Sequence, residues 1–475
     1  MRNVKYPIAL GTVFAYLFFP LSAGLNVFVF DAIALLTLFA SRPELTRRPA
    51  VRWAVFLLLA SAVSVVIVHA PASLVAHHLS FLLLIGFVQE RELRFIWYGL
   101  LLGVFSLLAG PTRFLRQLHG RYAHRLASTN RWVWVRPGLT ALAVSLPFFL
   151  LYSIGNSDFF RGLEWLLGWL DGVHRFDEPL RFAVLFVVGL CGTIPLILAG
   201  ANFDLAYDDT VDPDTLSRSR GGNNHPFSPL ALRVEYRRAV MVFLTLNALL
   251  WVVNLTDLRY IWLSATELPA STLSEYVHAG TNSLMASILL AMVVVLYFFR
   301  RNLNFYPNAR TLRALTYCWL AQNAFLALSV GMRNWHYIHA YGLAIGRVHV
   351  GVALCLVLVG IFSLSRKVRQ RRSLHYLLQV NGLAAWLFLV GYGAVNWSGV
   401  ITRVNLRQPT HRIDWTYLVD DLDRDNYFLL RQEQERLPTR LAGKLERYGY
   451  PAQDWRSWNY ADWRNTIWGA GAREQ

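Results

Sequence analysis

The stretch SEYVHAGTNSLMASILLAMVVVLYF (Ser274–Phe298) opens with Glu275, His278, Thr281 and Asn282, and no charged residue follows from Ser283 to Phe299. An α-helix rises about 1.5 Å per residue, so a run of this kind is close to what crosses a hydrocarbon core about 30 Å thick. Blocks like it recur along the chain. Apolar periodicity and length predict about twelve spans, near 6–20, 24–40, 51–70, 73–88, 93–110, 137–154, 181–202, 237–255, 282–299, 312–331, 347–365 and 379–398. The expected fold class is all-α: a polytopic helical membrane bundle of about 11–12 spans over residues 1–400, with a small, helical, Trp-rich extracytoplasmic tail over 401–475.

Composition points the same way. Of the 475 residues 55% are hydrophobic and 16% charged, and the mean hydropathy is +0.35. A soluble chain carries about 25% charged residues. The balance is basic, 46 Lys and Arg against 29 Asp and Glu. In a multi-pass chain, basic residues gathered in short loops mark the cytoplasmic side, so we read topology here and no nucleic-acid binding. The 17 Trp and 21 Tyr suit interfacial belts. Cys191, Cys318 and Cys355 lie in apolar stretches without CxxC spacing and read as free core thiols. The N-terminus resembles a signal peptide, but a second apolar run follows at once from Leu25, and we read an uncleaved first span.

The loops orient the chain. Pro111–Arg136 carries six arginines and no acid and reads as a basic interfacial cytoplasmic segment. Arg300, Arg301, Arg310 and Arg313 form a second cluster, and SRKVRQRR (365–372) a third. Even numbers of spans separate the three, so all can be cytoplasmic. The polar stretch 204–232 then reads as a flexible cytoplasmic loop and the tail as extracytoplasmic, which in a Gram-negative cell is periplasmic. Arg42–Arg52 breaks this parity. The segment expected not to cross is Ser73–Val88, short and carrying His77 and His78.

Polar groups inside spans are costly and mark sites by default. Asp31 lies in mid-span, where a carboxylate binds a proton or cation or else bonds to a neighbouring helix. Asn247 and Asn254 are seven residues apart and share a helical face, the spacing of groups that bond across helices. The densest polar set is MRNWHYIHAYGLAIGRVH (332–349), read as an outer connection bearing Arg333, His336, His339, Tyr341, Arg347 and His349. His336 and His339 have metal-compatible spacing but lack the third ligand of a catalytic zinc site, and we expect no metal and no cofactor. Arg333 and Arg347 can instead hold an anion, or the set can pack two spans together. His278 sits at the mouth of the span quoted above. It reads as a structural peg near the span's first turn, or as a member of one outer site with Arg333, His336, His339 and Arg347.

Several blocks in order resemble one family: GLNVFVFDAI (24–33), YSIGNSDFF (152–160), LNALLWVVNLTDLRYIW (246–262), LPASTLSEYVHAGTNSLMASILLA (268–291), LSVGMRNWHYIHAYGLAIGRVHV (328–350), VNWSGVITRVNLRQ (395–408) and DWRSWNYADWR (454–464). They are similar to the uncharacterised bacterial multi-spanning membrane family known as domain of unknown function 4173, with its relative 4153. The resemblance implies a helical inner-membrane protein with an extracytoplasmic tail, and supplies no catalytic residues. Three functions are carried forward. The first is a non-enzymatic sensing, regulatory or scaffold protein, with the bilayer around it and a protein partner on 401–475. The second is a secondary transporter or channel. The third is a membrane-embedded enzyme using His278, His336, His339 and Glu275 at the outer face.

Overall fold

The structure is a computed structural model. It describes residues 5–119 (without 20, 91, 92 and 94), 178–198, 214–216, 229–263, 270–446 (without 300, 301 and 308) and 454–471, and for 270–283 it describes the backbone alone. Regular structure among these residues is helical, apart from an isolated antiparallel bridge between Thr215 and Arg372.

The expected span 137–154 lies outside the described residues, as does 120–136 of the basic interfacial segment. Each of the other expected spans falls on a helix. These are α1 (Lys5–Phe18), α2 (Leu25–Ser41), α3 (Pro49–Ile67), α4 (Pro71–Gln89), α5 (Ile96–His119), α6 (Glu178–Ile197), α7 (Pro229–Asp257), α8 (Ala270–Phe298), α9 (Arg310–Tyr341), α10 (Ile345–Gln370) and α11 (Leu374–Gly393). Six described helical segments are long and apolar enough to cross a membrane: α3, α4, α6, Leu232–Leu263, α10 and α11. The fold is thus an all-α, multi-pass helical bundle.

Two expectations need correction. Ser73–Val88 is part of α4, a 19-residue apolar helix of spanning length. The cysteines are free, but Cys318 and Cys355 are exposed on helix surfaces rather than packed in a core.

The chain forms two compact units: Met1–Thr210 with Val390–Val395 and Tyr450–Gln475, and Val211–Leu389 with Asn396–Gly449. Residues 401–475 are thus divided between the two. In the first unit α1 packs on α6, and α3, α4 and α5 form an antiparallel meander. Glycines set the α4–α5 distance: a Cβ on Gly86 would collide with the carbonyl oxygen of Gly99, and one on Gly103 with that of Leu82. Where lipid tails are as apolar as the helices, such backbone approach supplies the packing. Gln89 at the end of α4 donates its side-chain amide to the carbonyl of Pro195, in the last turn of α6 where carbonyls lack helical partners.

In the second unit α7, α8, α9 and α10 pack around buried Phe243, Ile288, Leu320, Val330, Leu354 and Ile361. At one end of this unit, buried Lys367 donates to the carbonyls of Phe299 (3.3 Å) and Arg372 (2.9 Å), binding the ends of α8 and α10. The backbone of 214–216 pairs there too: Leu216 N–H donates to Arg371 O and Ser373 N–H to Asp214 O, both at 2.8 Å. Asp214–Leu216 and the basic turn after α10 therefore lie at the same end of this unit. At the opposite end, α12 (Trp397–Leu406) begins on Asn396, whose side chain accepts from Gly399 N–H at 2.7 Å.

Candidate functional site

Helix α9 continues to Tyr341, and α10 begins at Ile345. Met332–Tyr341 is therefore the last three turns of a helix, and the connection to α10 is only Gly342–Ala344. Arg333 is buried on the inner face of α9 and pairs with Asp257, the last residue of α7. Arg347 lies over the Tyr337 ring, 4.2 Å from its centroid, and donates to Gly342 O. The chain itself engages each guanidinium separately, so they do not face a common pocket. His336 is half-buried and His339 exposed, the latter edge-on to Trp335 with ring centroids 5.0 Å apart. Tyr341 is exposed and lies against Tyr337. Asn405 of α12 brackets the connection, accepting from Leu343 N–H (2.7 Å) and donating to Leu343 O (2.8 Å). Among the described residues no three His, Cys, Asp or Glu side chains are grouped as a metal site needs.

The side chains of Glu275 and His278 lie outside the described residues. The backbone places His278 in the interior of α8, two turns after its start at Ala270, which corrects the first-turn position expected for it.

Asn247 and Asn254 sit on the seam between α7 and α9. Asn247 donates to Leu315 O (3.0 Å), Gln322 donates to Asn247 Oδ1 (2.7 Å), Asn254 donates to Gln322 O (3.2 Å), and Trp262 Nε1 donates to Ser329 Oγ (3.1 Å). Both chains ascend through these pairs, so α7 and α9 run parallel. Steps of seven along α9 (315, 322, 329) meet the seven-residue step along α7, which keeps a seam facing its partner as in a coiled coil. The Asp257–Arg333 pair closes this ladder at the end of the unit away from Lys367. Beside it, Trp262, Leu328, Trp335, Leu354 and Cys355 line an apolar groove of ≈ 380 Å³.

In the first unit, Asp31 of α2 is buried beside His77 of α4, with Oδ2 to Nε2 at 3.7 Å. Sequence reasoning singled out Asp31 but took His77 as a sign that its helix does not cross.

A clasp that the sequence did not reveal holds the turn between α1 and α2. Leu25 N–H and Asn26 N–H, at the start of α2, donate to the carbonyls of Trp458 (2.9 Å) and Arg456 (2.7 Å). The Arg456 guanidinium donates to the carbonyls of Tyr16 (2.7 Å) and Phe19 (3.1 Å), at the end of α1. One five-residue segment thus serves the orphan groups of both helix ends. Asp454 holds Arg456 in place, accepting from its Nη2 (2.7 Å) and its backbone N–H (2.9 Å). Hydrogen bonds from the Arg456 side chain, then from its backbone, lower the Asp454 carboxyl to about 2; the same side-chain bond raises Arg456. From this segment and α13 (Tyr460–Gly471), Trp455, Tyr460, Trp463 and Ile467 are exposed.

The fold and its buried polar seams define a multi-pass helical membrane protein. The sequence profile described as "Domain of unknown function (DUF4153)" matches residues 8–432, and the chain belongs to that family, the second of the two its sequence blocks resemble. No curated protein and no solved structure matches the chain.

Proposed function

We propose that the protein is a non-enzymatic sensing, regulatory or scaffold protein of a bacterial inner membrane, whose C-terminal segment carries a partner's signal to the first two helices. The clasp carries this reading. Asp454–Trp458 grips both ends of the α1–α2 turn through backbone groups, and the same segment presents Trp455 outward, followed by Tyr460 and Trp463. Large aromatic side chains lose little entropy on binding and dominate interface energetics. A force applied to them reaches α1 and α2 without an intervening flexible joint. Lys and Arg gather at the end of the second unit that holds Lys367 and Arg372, and a positive-inside orientation puts residues 397–449 on the outer side.

A photo-crosslinking residue at Trp455 or Trp463, introduced in living cells, tests this. The expected outcome is an adduct with a second protein that weakens in Arg456→Ala. Adducts with lipid alone would mean that these rings are a membrane belt, and the partner reading falls. A secondary transporter is the second reading, favoured by the buried carboxylate of Asp31.

A further inference from the structure

We propose that Asp31 and His77 form a proton-binding site inside the membrane domain, the proton resting on the Asp31 carboxyl beside a neutral imidazole. This rests on neither functional reading above. Asp31 is 1% exposed, and neither of its carboxyl oxygens has a hydrogen-bond partner. It lies one turn beyond Val27, which packs with Ala62 and Val65 of α3 and with Leu74 of α4. His77 follows Leu74 by three residues on α4, is 8% exposed, and has an unpartnered Nδ1. The carboxyl and the imidazole therefore meet where three apolar helix faces converge.

The separation decides what the pair can be. At 3.7 Å the Nε2–Oδ2 approach is longer than a hydrogen bond. An ion pair buried without supporting hydrogen bonds does not recover the cost of desolvating two charges. A carboxylate beside a neutral imidazole costs more, because one bare charge is left in an apolar site. The arrangement that leaves no net charge is one proton for the two groups. That proton stays on the carboxyl, and the imidazole keeps only its own ring N–H, because transfer to Nε2 would create the unsupported buried ion pair.

The neighbouring elements supply no competing ion-pair partner among the described residues. On the helices packed against α2 and α4, the ionisable groups with described side chains are Lys5, Tyr6 and Tyr16 of α1, Arg52 of α3, Tyr98 of α5, and Glu178, Arg181 and Cys191 of α6, and the ion pair formed by Asp31 is with none of them. His78 lies beside His77 with ring centroids 5.5 Å apart, but its Nδ1 is engaged by Leu74 O at 2.6 Å.

The test uses the full-length protein reconstituted in lipid vesicles. The infrared difference between wild type and Asp31→Asn is expected to show the carbonyl band of one protonated carboxyl, sensitive to D2O, with its titration shifted in His77→Gln. Dicyclohexylcarbodiimide is the second probe, and it acts on the wild type, so it does not depend on any variant folding. The carboxyl proton passes to a carbodiimide nitrogen while the carboxyl oxygen adds to the central carbon. An adduct on the peptide covering 25–41, lost as pH rises, is expected by mass spectrometry. Neither band nor adduct would show an ionised carboxylate and overturn the proposal. An adduct suppressed by sodium ions at constant pH would assign the site to a metal cation and overturn it equally.

Discussion

Gly24 illustrates how one residue can fix a whole segment. Its φ of −176° is extended backbone that any residue adopts, so conformation does not demand glycine there. Space does: a Cβ would run into the carbonyl of Ser457, and backbone on both sides cannot yield. Gly24→Ala is therefore expected to open the clasp, seen as faster hydrogen exchange at Leu25 and Asn26 while the amides of α3 and α4 keep their protection. Asp454 gives the same contact a pH signature. Its carboxyl is lower in the folded protein than in the unfolded chain, so its contribution is complete above the ordinary value of 3.8 and is lost as pH falls towards about 2. Fluorescence of Trp455 and Trp458 is expected to stay level from neutrality to about pH 5 and to change between about pH 4 and 2. In Asp454→Asn the acid change should be gone, because the variant is already altered at neutral pH. Little of this was legible beforehand. The pattern around Asp454 shows polar and aromatic residues, but the partners are backbone carbonyls and amides more than four hundred positions earlier, and backbone groups leave no mark in a sequence.

The α7–α9 seam shows what periodicity can and cannot reveal at the level of elements. Asn247 and Asn254 could be placed on one helical face from their spacing alone. Their partners could not, because Gln322 and the carbonyls of α9 are chosen by register between helices. Hydrogen bonds between membrane helices are worth about 0.6 kcal/mol on average and at most about 1.7. Gln322→Leu should cost about that much in unfolding measurements, since it strands Asn247 Oδ1. The end of the ladder is worth more. Removing one member of the Asp257–Arg333 pair leaves a buried charge and should cost about 3–5 kcal/mol, whereas Asp257→Leu with Arg333→Met should cost far less than the sum of the single changes. Equal losses in all three variants would show that the pair acts through something other than charge. Overpacking is the third case: Gly86→Val, at the closest approach of α4 and α5, should destabilise by about 1–3 kcal/mol. The extent of α9 was misjudged for a physical reason. MRNWHYIHAY is polar enough to look like a loop by hydropathy, yet it contains no helix breaker before Gly342, and the helix runs to that glycine.

For the molecule as a whole, charge in the loops predicts sidedness, and the second unit supplies distances that sharpen the prediction. Asp214–Leu216 pairs with Arg371–Ser373, and Lys367 ties Arg372 to Phe299, so three stretches far apart in sequence share one end. Gly342–Ala344, Asn405 and Tyr417 are joined at the other, where Ile345 N–H donates to the Tyr417 hydroxyl at 2.9 Å. Helices α9, α10 and α11 lie between the two ends, and α10 and α11 are long enough to cross. A cysteine scan in a background with Cys191, Cys318 and Cys355 replaced by serine should therefore sort positions into two sets. Cysteines at Thr215, Asn302 and Arg371 are expected to react with an impermeant maleimide from one side only. Those at Leu343, Arg403 and Arg436 are expected to react only from the other. The excess of Lys and Arg at the first end predicts that it is the cytoplasmic one, so intact cells should label the second set and spare the first until they are opened. Labelling of Thr215 and Arg371 from opposite sides would contradict the backbone pairing between them, and labelling of both sets from outside would overturn the membrane crossing of α10. If the two sets separate cleanly but with the first one outside, the helical architecture stands and the charge rule alone has failed for this chain.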